Sequence, residues 1–216
     1  KNKPKEESSW RRQAIPLPSP MLSELEKTSG KKKFPDTKNR HVLLSLSFLY
    51  RFPSIYNSFL RLDIINDYLK TIDSIITSLN EKNITVTLSF YNNLVAKTFE
   101  SSLNRWKSIS GDNLMVMEDH DIRLRHIMQS RVFDETYDAI LWDLPAGGFS
   151  ESIACGKKTF SLVNRKLIRI YPEAEKFVSP LDDLGIFFQD GIEISETLEK
   201  MYQSEDWYNS EIIQDA

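Results

Sequence analysis

At 216 residues with 40% hydrophobic content, the chain is long enough for one large domain with a full core. Its 28 basic and 31 acidic side chains leave a formal charge of -3, which excludes a whole-molecule electrostatic footprint for nucleic acid or anionic lipid. Any anionic ligand must therefore be held locally, and no apolar run approaches the roughly 18–20 residues of a membrane-spanning helix.

The charged opening KNKPKEESSWRRQ has no apolar segment behind it and does not read as a secretory leader. Pro16 to Pro20 (PLPSP) is extended, MLSELEKT has room for two helical turns, and Ser29 to Arg40 is a polar, basic connector. Residues 1–40 are accordingly expected to be a connector or N-terminal arm, and residues 41–216 a single α/β domain.

From His41 onward, short β-branched or aromatic runs alternate with stretches of helical period. The expected strands are Val42 to Phe48, Ile84 to Phe90, Leu114 to Glu118, Ala139 to Asp143, Thr159 to Val163 and Gly185 to Gln189. Leu62, Ile65, Leu69, Ile72, Ile76 and Leu79 build one apolar helix face, which ends at the turn NEKN. Leu94, Phe99, Leu103 and Trp106 mark a second helix, and Leu124, Ile127, Met128 and Val132 a third. Ser150 to Cys155 form a short fourth, and Ile192, Ile194, Leu198 and Met201 lie in a helical tail before Trp207 and Tyr208. Strands separated by helices must pair in parallel through right-handed crossovers. The fold class is thus α/β, a doubly wound, mainly parallel, six-stranded Rossmann-like sheet of order 3-2-1-4-5-6 with helices on both faces. Ligands on such sheets sit beyond the strand carboxyl ends where the winding reverses, between the first and fourth strands.

Candidate residues follow the strand ends in turn. After the first strand, SFLYRFPSIYNSF offers Arg51 as a bidentate partner for a diphosphate, with Tyr50 or Tyr56 to stack on a base; the competing reading is aromatic packing. After the third, MEDHD (Met117 to Asp121) offers Glu118 and His120 as base or ribose contacts, against a simple solvated, helix-capping loop. Neither His120 nor His126 has the partners a zinc site requires, so no metal is expected. After the fourth, Gly147 and Gly148 leave backbone N–H groups bare for a ligand, Ser150 stands at an expected N-cap, and Glu151 enters the first helical turn. A tight turn with a good cap explains the same residues without a ligand. After the fifth, Arg165, Lys166 and Arg169 form a basic cluster, and Arg165, nearest the strand, would stabilise a phosphorylated leaving group.

The segment YDAILWDLPAGGFSESIACGKKTFSLV resembles the C-terminal half of GT-B glycosyltransferases: a hydrophobic strand, a small-residue turn, a glutamate, small apolar helix residues, GK and another strand. IPLPSPMLSEL, Ile15 to Leu25, resembles the connector ahead of that half in bacterial transferases associated with O-antigen or capsule gene clusters. The likeness runs from Ile15 to about Gln189. It implies a domain that binds a nucleotide-sugar donor, with Gly147, Gly148 and Ser150 on the phosphates and Glu151 on the ribose. The carbohydrate or lipid-linked acceptor, and often the catalytic base, would then belong to an N-terminal domain of the same polypeptide, so this half alone would be inactive and its catalytic residues are not assigned. No cofactor is implied, and the setting is cytoplasmic, peripheral at the inner membrane. Asp143 stands eight positions before Glu151, where many retaining members carry a second acidic residue, whereas DLPAGG is not the commonest form of the turn.

Other chemistries fit poorly. GFSES lacks the last glycine of a nucleophile elbow, and His41, His120 and His126 all precede it. The phosphate loop of nucleoside triphosphatases and the dinucleotide fingerprint are both missing. The lone Cys155, flanked by Ile153 and Ala154, reads as a small buried hydrophobe in a reducing compartment. A related sugar-nucleotide epimerase or polyol-phosphate transferase remains an alternative. So does a non-catalytic binding domain whose Trp207 and Tyr208 serve a partner.

Overall fold

The structure is a computed structural model that describes residues 19–29, 39–46, 64–117, 128, 131–204, 207–208 and 210. Six strands, β1 (His41–Leu46), β2 (Thr85–Phe90), β3 (Leu114–Val116), β4 (Ala139–Trp142), β5 (Thr159–Leu162) and β6 (Phe187–Phe188), form one sheet of order β3-β2-β1-β4-β5-β6. Every neighbouring pair is parallel, and Val42 of β1 lies between Val86 of β2 and Ala139 of β4. The expected topology is therefore the one found.

Strand chemistry explains why the centre holds. Residues 42–46 of β1 are all buried, as are 86–90 of β2 and the whole of β4 and β5, so side chains on both faces of the pleat are covered. Reversal of the winding at β1 requires right-handed crossovers to place the helices between β1 and β3 on one face and the helix between β4 and β5 on the other.

Helix α2 (Ile65–Glu81) buries Tyr68, Ile72, Ile75, Ile76 and Leu79 in one stripe. Of the anticipated stripe, Ile65 and Leu69 are only partly buried, and Tyr68 and Ile75 take the deeper positions. After the helix, Asn83 carries a left-handed φ of 53°, a conformation that asparagine tolerates better than most residues. Helices α3 (Asn93–Thr98) and α4 (Glu100–Ser110) follow β2, and Trp106 of α4 is fully buried beside Phe99. Helix α5 (Arg131–Thr136) leads into β4; most of the helix expected from Leu124 lies outside the described residues.

Helices α6 (Gly147–Ala154) and α7 (Pro172–Asp183) connect β4 to β5 and β5 to β6, and α8 (Gly191–Gln203) closes the fold by packing along α2. Gly191 permits that packing: a Cβ there would fall 2.1 Å from the backbone oxygen of Ser74. The α8 start is also capped, with Asp190 accepting from the N–H groups of Ile192 and Glu193.

Three expectations need correction. The fourth helix begins at Gly147 rather than Ser150, so the paired glycine lies inside it. Helix α7 was not anticipated, although Pro172 in its first turn and Glu173 and Glu175 behind it are a recognisable helix start. Finally, α1 (Pro20–Ser29) packs against α6 with Leu25 buried, so this part of the expected arm contributes to the core.

Candidate functional site

The carboxyl ends of β1 and β4 lie side by side, with Ser45 opposite Trp142 and the Asp143 N–H donating to the Ser45 carbonyl at 3.2 Å. Beyond Asp143 the chain turns tightly, the Ala146 N–H donating to the Leu144 carbonyl, and α6 starts at once. Pro145, Ala146 and Gly147 are exposed. Ala146 provides no side-chain cap, and the first N–H groups of a helix have no acceptor within it. The positive end of α6 therefore faces solvent at the winding reversal, on the carboxyl side of the sheet.

The two glycines serve different purposes. A Cβ on Gly147 would meet nothing within 4 Å, whereas one on Gly148 would lie 2.2 Å from Cη2 of Trp142. Gly148 is thus the hollow that receives the indole. That ring is itself tethered: Trp142 Nε1 donates to Ser152 Oγ at 3.1 Å, Ser152 donates to the Phe149 carbonyl, and Thr159 Oγ1 donates to Ser152 Oγ at 3.0 Å. One buried hydroxyl so joins strand β4, helix α6 and strand β5, fixing where the helix start sits.

Ser150 is exposed at the fourth helical position and Glu151 half-buried at the fifth, so neither the N-cap nor the first-turn placement expected for them is correct. Both follow one turn behind the amides of Gly147 and Gly148, and Glu151 is engaged by a neighbour.

Beneath the corner lies Asp143, fully buried at the end of β4, accepting a hydrogen bond from the Tyr68 hydroxyl at 2.8 Å. Burial, and then the charge of Asp143, push the Tyr68 hydroxyl well above the usual tyrosine range, so it stays a donor at any physiological pH. Tyr68 was not singled out from the sequence. The apolar spacing on α2 does not include it, and which strand end it reaches depends on the packing of α2 over the sheet.

The other candidates are not gathered here. Arg165 is committed to α7: it forms a two-pronged ion pair with Glu175 at 2.8 Å and also binds Asp182. Its charge is met by two carboxylates, and it pins α7 to the loop after β5. Lys166 and Arg169 are exposed. Arg51, Glu118 and His120 lie outside the described residues. Trp207 and Tyr208, which the alternative of a binding domain assigns to a partner, are engaged within the fold: Tyr208 is buried with its hydroxyl accepting from the Thr159 N–H at 2.9 Å, and half-buried Trp207 stacks on Phe160.

The fold and this corner define a doubly wound, all-parallel α/β protein with an uncapped helix start at its switch point, an arrangement suited to a phosphorylated ligand. The family model described as LIC12162 family transferase matches residues 5–216, nearly the whole length, and the chain belongs to that family. Membership makes it a transferase. No curated protein and no solved structure matches it.

Proposed function

We propose that the chain is the donor-binding half of a glycosyltransferase, moving a sugar from a nucleotide-sugar to a surface-carbohydrate or lipid-linked acceptor. The observation that carries this reading is the exposed start of α6 at the carboxyl ends of β1 and β4. There, amides of Gly147 and Gly148 take the donor phosphates, with the Ser150 hydroxyl beside them and Glu151 on the ribose. Arg51, which follows β1 in the sequence, is assigned a charge contact with the phosphates, and Glu118 and His120, which follow β3 in the sequence, contacts with the base or ribose. The phosphates are held by dipoles and side chains without a metal, and a further domain of the same polypeptide brings the acceptor and the catalytic base. The setting is the cytoplasmic side of the inner membrane.

Calorimetric titration with UDP, CDP, GDP and CMP tests this. One of them should bind, and Glu151→Ala or Gly147→Val should weaken it by about tenfold or more, as expected for loss of a charge-assisted contact or occlusion of the amides. Gly147 is the informative glycine, because a side chain there meets no neighbour, whereas one at Gly148 strikes Trp142. A folded sample that binds none of the four nucleotides refutes the proposal.

A further inference from the structure

A concavity lies at β6, the last strand of the sheet, separated from β4 by β5. It has a volume of about 370 Å³, at the small end of the roughly 300–1,000 Å³ typical of ligand sites, and is bounded by the end of α7, strand β6 and the flank of α8.

Its polar lining is unbalanced. Thr197 on α8 is 6% exposed and lines the cavity, and its hydroxyl has no hydrogen-bond partner among the described residues. Asp182 binds Arg165 through Oδ2, while its Oδ1 is buried without a hydrogen-bond partner among the described residues. Glu193 accepts from the Gln189 N–H through Oε2. Among the described residues, Asp183 and Glu196 complete a lining of four carboxylates, against which Lys200 is the one cation. Phe187 and Trp207 supply the apolar surface, and the stacking of Trp207 on Phe160 at an interplanar angle of 13° holds that indole in place.

Acceptors in excess of donors, beside two aromatic rings, suit a guest that is all donor at one end and apolar along its length. We infer that this cavity binds a small organic cation, a primary ammonium carried on a short aliphatic stem. The ammonium presents three N–H donors and no acceptor, so it meets the carboxylates and the Thr197 hydroxyl without leaving a polar group of its own unpaired. The indole adds attraction for the cation, and the methylenes lie against Phe187.

The test is calorimetric titration of the full chain with pentan-1-amine and, in parallel, pentan-1-ol, at fixed ionic strength. The two probes share a stem and differ in charge. Saturable binding of the amine, about tenfold or more tighter than the alcohol, is expected from the gap between charged and neutral hydrogen bonds. Asp183→Asn with Glu196→Gln, both at exposed positions, should weaken the amine by about tenfold and leave the alcohol unchanged. Thr197→Val should weaken it by about threefold or more. Equal binding of the two probes, an undiminished amine affinity in the Asp183→Asn/Glu196→Gln variant, or no saturation up to about 10 mM, weaker than a millimolar site allows, would overturn the inference.

Discussion

Replacing Gly148 by alanine adds one methyl group at a place where the structure has no room for it. The new Cβ would lie 2.2 Å from Cη2 and 2.4 Å from Cζ3 of Trp142, far inside contact distance. The indole cannot simply swing aside, because its Nε1 is held by Ser152 and the ring is 6% exposed within the core. Overpacking of this kind costs about 1–3 kcal/mol, and breaking the Trp142–Ser152 hydrogen bond to relieve it adds about 1 kcal/mol. A total near 3 kcal/mol lowers the melting temperature of a domain this size by about 6–12 °C. Urea and thermal unfolding followed by circular dichroism give the value, with Gly147→Ala as the control expected to shift stability by less than about 0.5 kcal/mol. A double-mutant cycle sharpens the attribution: in a Trp142→Phe background the smaller ring should cut the penalty of Gly148→Ala by about 1 kcal/mol or more. If Gly148→Ala and Gly147→Ala are equally mild, the hollow that positions the helix start is not what the geometry makes it.

Tyr68→Phe should destabilise the fold by about 1–3 kcal/mol, because Asp143 keeps its burial and loses a donor; an unchanged urea midpoint would contradict this. The hydroxyls of Tyr68 and Tyr202 are pushed up, and that of Tyr208 to about 12, by burial above all. Each therefore stays protonated in the folded chain after it has ionised in the unfolded one, so the tyrosine contribution to stability is level below about pH 10 and falls above it by about 1.4 kcal/mol per pH unit for each tyrosine. The Tyr208 share ends near pH 12, and Tyr208→Phe should make the alkaline limb measurably shallower. Arg165→Ala should lower the melting temperature slightly while leaving nucleotide affinity within about twofold, since that guanidinium serves α7; a large affinity loss would return it to the binding corner.

The sheet was readable from one dimension because parallel strands buried on both faces are written as short continuous apolar runs, and their spacing by helices leaves little choice of topology. Position at the switch point came with it. What could not be read was the use of individual residues near that point. Gly147 and Gly148 look alike in a sequence, yet one is open and the other is filled by an indole from six residues upstream. Arg165 looked like a free cation because its partners, Glu175 and Asp182, sit on a helix whose proline-led start was passed over. Tyr208 looked like a loose tail aromatic, and its anchor is the backbone of Thr159, far away in the chain. In each case the deciding neighbour is brought in by tertiary packing, which local pattern does not encode.

The docking of α1 on α6 has a consequence for biosynthesis. Leu25 leaves the ribosome among the first residues of this stretch, but the surface that shelters it is completed only after Gly147–Ala154 has emerged. Throughout that interval the early helix is a latch without a keeper. Elongation at about 5–20 residues per second sets how long its apolar side waits, a window in which chaperones or a wrong apolar partner compete for it.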